Sequence, residues 1–212
     1  MTLPTKEEVY KTLEARHGAE LQKKLAQASV AVCGLGGLGS NIAISLARAG
    51  IGRLHLIDFD KVDLSNINRQ QYALSQTGEF KTDALSQTLK AIAPYCLIKT
   101  HCVKITEENV TELLQDDCII CEAFDCAESK AMLVNAVLEK MPQKYIVAAS
   151  GMAGLHSANS IKTRRVAQKL YVCGDGESDV AADGTLFASR VMLCAAHQAH
   201  AVLRIISGKY EV

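Results

Sequence analysis

Between Val32 and Gly50 the chain runs VCGLGGLGSNIAISLARAG. An apolar segment ends in glycine, Gly34, Gly36 and Gly39 follow in the spacing G-x-G-x-x-G with Gly37 among them, and a stretch of helix formers comes next. That order leaves few architectures open. A buried strand must turn sharply into a helix, the glycines permit the tight turn and a close backbone approach, and the helix N-terminus keeps unpaired N–H groups facing an anion. RLHLID, residues 53–58, supplies a second apolar strand ending in Asp58, where a carboxylate can accept from ribose hydroxyls. The result is a β-α-β unit built to hold a nucleotide. The glycines alone leave open whether that nucleotide is a dinucleotide for redox chemistry or ATP.

The alternation continues downstream. Helix periodicity over residues 82–93, 107–115 and 129–141 is interleaved with strand-like runs over 97–103, 118–122 and 145–149. Residues 1–28 precede this core as an N-terminal helical segment, two short helices broken at Gly18. Residues 160–174 read as an antiparallel ribbon and 189–207 as a closing helix, with a Gly/Asp-rich surface loop between them near the site. The expectation is one α/β domain over residues 1–212. Its fold is Rossmann-like and doubly wound, with a mostly parallel sheet and a C-terminal antiparallel extension.

Charge and cysteine usage narrow the class. Lys plus Arg total 23 and Asp plus Glu total 23, so no net field draws in nucleic acid or an anionic membrane. Neither is expected as a partner. The polar start MTLPTKEEVYKTLEARHG is unlike a secretion signal, and a cytoplasmic location is expected. The eight cysteines are then reduced thiols. Cys118 and Cys121 form the one C-x-x-C, inside a run that reads as a buried strand, and Cys33 reads as a core residue. A closed zinc site needs four ligands, so no structural zinc is expected. His197 and His200 on the last helix lack a carboxylate partner at suitable spacing and read as packing residues.

The residues beyond the second strand discriminate between the two chemistries. FDKVDLSNINRQQY places Asn66, Arg69 and Gln70 in a polar connection, and Lys81 opens the next helix. An amide donor, a planar guanidinium fork and a compact cation suit phosphate oxygens and sit awkwardly beside an uncharged nicotinamide. Asp125 lies just past the end of another predicted parallel strand, where such sheets gather ligand groups. There it either holds Mg²⁺ against phosphates or caps the next helix with Glu128 three residues on.

Taken together, GLGGLGS, DFD, LSNINRQ, Lys81 and Asp125 make the chain resemble the adenylyltransferases of the ThiF and MoeB type, relatives of the ubiquitin-activating enzymes, across residues 28–151. The resemblance implies a protein that binds ATP and Mg²⁺. It implies adenylylation of the C-terminal glycine carboxylate of a small ubiquitin-like sulfur-carrier protein with a Gly-Gly tail, by a homodimer, and for ThiF-like members in thiamine thiazole biosynthesis. The glycine turn (Gly34, Gly36, Gly37, Gly39) and Asp58 would hold phosphates and ribose. Asn66, Arg69, Gln70 and Lys81 would meet the nucleotide, and Asp125 would bind the metal. Arg16 is the nearest candidate for an arginine donated across the dimer. Cys173 is either an adduct-forming cysteine or a structural thiol. An NAD-dependent oxidoreductase, a non-catalytic activating-enzyme-like module, and an adenylyltransferase for a carboxylate on modified tRNA remain as alternatives.

Overall fold

The computed structural model describes residues 3–212. Seven strands form one sheet: β1 Ser29–Cys33, β2 Arg53–Ile57, β3 Leu97–His101, β4 Ile119–Glu122, β5 Tyr145–Ala149, β6 Lys162–Ala167 and β7 Leu170–Gly174. Their order is β3-β2-β1-β4-β5-β7-β6, with every neighbouring pair parallel except β6 and β7. Eight α-helices accompany them among the described residues: α1 Lys6–His17, α2 Ala19–Gln27, α3 Gly37–Arg48, α4 Lys81–Ile92, α5 Val110–Leu113, α6 Ala127–Lys140, α7 Val180–Asp183 and α8 Ala188–Ser207. The doubly wound architecture is therefore present, together with the helical N-terminal segment and the antiparallel extension. None of these helices is long and apolar enough to cross a membrane.

Strand alternation divides the core into two layers. Val30, Val32, Leu54, Leu56 and Val147 turn to one face and pack under α2, α3, α4 and α8. Ala31, Cys33, Ile57, Ile120 and Ile146 turn to the other, under α5 and α6. Parallel strands covered on both faces must be apolar throughout, which is why SVAVC and IICE are wholly buried. A polar cluster is accepted in the second layer. Asp117 takes hydrogen bonds from Ser29 (2.7 Å) and pairs with His55 (2.6 Å), while Lys144 donates to the carbonyls of Leu114, Gln115 and Asp117.

Local chemistry explains most boundaries. A capping box between Thr5 and Glu8 starts α1, and Gly18 at φ +92 breaks it from α2. The third helix begins at Gly37, because Gly36 caps it and the glycines enter its first turn. Residues 107–115 are mostly turn, with only Val110–Leu113 helical. The Asn109 side chain bonds the Thr106 amide and the Lys104 carbonyl, holding the entry in a turn instead of a helix. Cys118 is exposed just ahead of β4, so the C-x-x-C is not wholly buried. His200 is exposed and does not pack, whereas His197 accepts or donates at 2.9 Å with Thr163. The ribbon after β5 is a hairpin whose inner strand, β7, joins the sheet parallel to β5. The outer strand, β6, carries an irregularity at Val166.

Gly39 sets the approach of α3 to β1. A Cβ built there would fall 1.8 Å from the Gly34 carbonyl oxygen, so helix and strand meet only because no side chain intervenes. Gly39→Ala is expected to lower stability by about 3 kcal/mol or to abolish folding, since the obstacle is backbone and cannot yield. Denaturant unfolding with an unchanged midpoint would contradict this.

Candidate functional site

At the carboxyl ends of β1, β2, β4 and β5 lies a cavity of about 460 Å³. Its floor is the glycine turn. Gly34 adopts φ +90, and a side chain there would strike the Ala123 carbonyl at 2.7 Å. At Gly37 a Cβ would fall 2.8 Å from Val191 and 3.4 Å from Arg69, so a side chain would crowd both. Leu35, between them, is pinned from two sides. Its amide donates to Asp58 Oδ2 at 2.6 Å, and its carbonyl accepts from the buried Tyr72 hydroxyl at 2.7 Å. Gly36 and Gly37 line the cavity. Gly39 does not, and the expectation that it meets phosphate is corrected by its packing role against Gly34.

Asp58 ends β2 with 8% exposure. Its second oxygen accepts from the Asp60 amide at 2.7 Å. Burial pushes its carboxyl above the usual range, opposed by the Lys81 charge and by the Asp60 and Leu35 amides. The same turn presents Asp60, whose carboxylate holds Lys81 Nζ at 2.9 Å. Lys81, the first residue of α4, is 5% exposed and faces the cavity. The Asp60 contact is a function for the second acid of DFD that the sequence pattern alone leaves blank.

The connection from 64 to 72 is tied to the glycine helix. The Ser40 hydroxyl accepts from the Gln71 amide at 3.1 Å, and the Gln71 side chain donates to Asn41 at 2.8 Å. These bonds bring Asn66, Arg69 and Gln70 to the cavity. Arg69 Nη1 meets Asn68 Oδ1 at 2.9 Å and stays half-buried. Gln70 is 7% exposed, its Oε1 has no hydrogen-bond partner among the described residues, and its Nε2 faces Gly36.

Asp125 lines the cavity and is exposed, and its side chain makes no hydrogen bond or ion pair among the described residues. The cap of α6 is Cys126, not Asp125, and the Cys126 thiol donates to Glu128 at 2.8 Å. The carboxylate is thus unspent. No group of three or more His, Cys, Asp or Glu gathers among the described residues to hold a metal unaided. A lone carboxylate still fits Mg²⁺ carried on phosphates, because that ion takes one or two protein carboxylates and completes its shell with phosphate oxygens and water.

Arg16 is exposed on α1 and does not line the cavity of its own chain. Cys173 is fully buried at the end of β7, where burial pushes its thiol up to about 11 against a hydrogen bond from Thr163. That environment fits a structural thiol better than a nucleophile.

Sequence reasoning missed Lys130 and Glu122. Lys130 lines the cavity and donates to both Glu122 oxygens (3.0 and 3.2 Å) and to the Ala149 carbonyl (3.3 Å). Glu122 is fully buried and also accepts from the Phe124 and Ala149 amides. The pair therefore couples the segment carrying Asp125 to the end of β5. An acid ending a wholly apolar strand, eight residues before a lysine, was the available signal.

The glycine turn, the acid ending the second strand and the ligand groups at the carboxyl edge define the class of doubly wound α/β proteins that receive an anionic ligand at a helix N-terminus. More narrowly, the chain belongs to the ThiF family, whose model matches residues 10–212. Among curated relatives, it is 41% identical over 114 residues to the tRNA threonylcarbamoyladenosine dehydratase of Haemophilus influenzae, covering 52% of this chain and 43% of that protein. It is 33% identical over 122 residues to the sulfur carrier protein adenylyltransferase of Thermus thermophilus, covering 57% and 45%. The chain thus spans less than half the length of either relative. Its fold matches the crystal structure of the E. coli tRNA N6-threonylcarbamoyladenosine dehydratase in complex with ATP. That match has a TM-score of 0.86 and 22% identity, and it covers 98% of both chains.

Lys130→Met would strand a buried carboxylate. The expected loss is about 3 kcal/mol, the lower end for a broken buried pair because the lysine keeps some solvent contact. Burial already pushes Glu122 upward, with Lys130 opposing, so removing the lysine raises it further. A carboxyl that titrates higher in the fold than in the unfolded chain favours the fold at low pH. The variant's deficit should therefore shrink as pH falls and widen as pH rises through the folded-state value. Urea unfolding of parent and variant across that range checks both magnitude and sign.

Proposed function

We propose that this protein adenylylates the C-terminal glycine carboxylate of a small ubiquitin-like sulfur-carrier protein, using ATP and Mg²⁺, as a step in thiamine thiazole biosynthesis. The observation that carries the reading is the convergence of Asn66, Arg69, Lys81 and Asp125 on one cavity above the glycine turn. Three donors and an unspent carboxylate are what a triphosphate with its metal asks for. A nicotinamide ring would leave those charges unmatched, and a mere binding module would not need the whole set.

The reaction is in-line attack by the carrier carboxylate on the α phosphorus, forming a P–O bond to the acyl group and releasing pyrophosphate. No base is required, because a terminal carboxyl is ionised near neutrality. The protein's part is placement and charge. The amides at the start of α3 and the Asn66 side chain hold the phosphates, and Asp58 orients the ribose through its remaining acceptor capacity. Arg69 and Lys81 meet charge developing on the departing pyrophosphate. Bound at Asp125, Mg²⁺ would add Lewis-acid neutralisation of the same oxygens. Arg16 of a second copy would reach the phosphates in a homodimer.

A second reading has its own support. The relative at 41% identity is named for a modified tRNA nucleoside, and adenylylation of a carboxylate on such a tRNA would use the same site. The zero net charge favours the protein carrier.

Arg69→Ala and Asp125→Ala are each expected to lower carrier-dependent ATP/pyrophosphate exchange by about 10²- to 10³-fold, or 2 to 4 kcal/mol of barrier. Mass spectrometry of a Gly-Gly-terminated carrier incubated with the protein, ATP and Mg²⁺ should show one added AMP. Exchange supported only by threonylcarbamoyladenosine-containing tRNA would transfer the assignment to the second reading.

A further inference from the structure

Most cations and amides of the cavity come from the ends of β1 and β2 and the 64–81 connection, with Lys104 beyond β3 and Lys130 on α6 adding to them. The part of its lining that follows β5 and β7 has a different character. Met152 and Ala153 follow β5, and Ser178, Val180 and Leu186 follow β7, with Asp179 the one charged residue among them. These positions offer no cation to a phosphate. They lie on two segments outside the sheet, residues 150–160 and 175–187, so strand pairing does not hold them.

What joins the two segments is one ion pair that does not itself line the cavity. Arg190, in the first turn of α8 and 4% exposed, places Nη2 2.5 Å from Asp175 Oδ2. Its Nη1 donates to the carbonyls of His156 (2.7 Å) and Ser157 (2.9 Å), and its Nε donates to Met152 (3.4 Å). Asp175 Oδ1 accepts from the amides of Glu177 and Ser178, both at 2.9 Å. Asp175 Oδ2 also accepts from the Ser178 hydroxyl at 2.8 Å, and that hydroxyl accepts from the Ala153 amide at 3.0 Å. A single chain of bonds thus runs from Arg190 through Asp175 and Ser178 to Ala153. Gly151, at φ +80, is part of it, because a Cβ there would fall 2.0 Å from Asp175 Oδ1.

Burial draws the Asp175 carboxyl upward, but the amides of Glu177 and Ser178, the Ser178 hydroxyl and Arg190 outweigh it and hold it at about 2. The Asp175 carboxylate is therefore ionised near neutrality. A fork making four directed contacts is work that a lysine cannot repeat.

We propose that Asp175 and Arg190 are positioning residues for the acceptor, building the wall of Met152, Ala153, Ser178, Val180 and Leu186 against which its terminal residues lie. The inference rests on the adenylylation reading. A wall of small and apolar side chains without cations suits a peptide terminus of small residues, and it leaves the nucleotide to the other half of the cavity. The pair touches neither partner, so its effect is on placement.

Asp175→Asn and Arg190→Lys test this in the full chain. Expected is a carrier KM raised by about tenfold or more, with ATP affinity by calorimetry unchanged and kcat at saturating carrier close to the parent's. Amide hydrogen exchange should quicken over residues 151–157 and 176–183 and stay unchanged over 34–39. An unaltered carrier KM, or a parallel loss of ATP affinity with exchange quickened throughout, overturns the proposal. A parent protein that turns over no carrier overturns the adenylylation reading instead. In that event the exchange pattern still decides the pair's role, and unchanged protection over 176–183 removes it.

Discussion

The Asp58 carboxylate is the contact on which the site depends. Its two oxygens accept from the Leu35 amide in the glycine turn and from the Asp60 amide past β2. One side chain therefore sets the distance between the α3 N-terminus and the turn that presents Asp60, and Asp60 in turn fixes Lys81. Two adjacent parallel strands ending level make the arrangement possible, since Cys33 and Ile57 are register partners. Such a carboxylate is costly to bury alone, and the amides and the lysine that face it offset that cost.

The cavity divides into halves held by different means. On the glycine-turn side, backbone geometry dominates, with glycines where a methyl group has no room and hydroxyls and amides of Ser40, Asn41 and Tyr72 fastening the loops. On the far side, buried ion pairs dominate: Glu122 with Lys130 at the end of β4, and Asp175 with Arg190 behind the segments after β5 and β7. A buried pair adds little net stability over an apolar substitute. It does fix direction, since each charged group accepts or donates along set lines to several backbone groups at once. Irregular segments lacking strand partners have most use for that property.

Much of this was legible in the chain itself. The largely apolar runs of SVAVC and RLHLI, the glycine spacing and the lysine opening α4 are local signals, and each gave an element at or near its observed bounds. The residues of DFD and LSNINRQ reach the cavity because their loops are short and tethered at both ends. What was hidden is whatever depends on neighbours distant in sequence. Glu122 looked like the polar end of an apolar strand, and only the crossover to α6 brings Lys130 to it. Asp175 and Arg190 stand 15 residues apart in a glycine-rich loop and a helix start, with nothing in either to announce the other. The helix over 107–115 failed for the opposite reason, because the Asn109 side chain outbid the helical hydrogen bonds locally.

The outermost strand β6 gives the sheet an open margin, and its chemistry bears on how the chain avoids edge-to-edge strand pairing. Lys162, Arg164 and Arg165 are all exposed along it, and the register slips at Val166. Opposite, β3 closes the other margin with Lys99. Like charge along a bare backbone ladder repels an incoming copy, and a kinked ladder offers it no straight template. An architecture that exposes parallel pairing slowly during folding is thereby shielded from stacking edge to edge into aggregates.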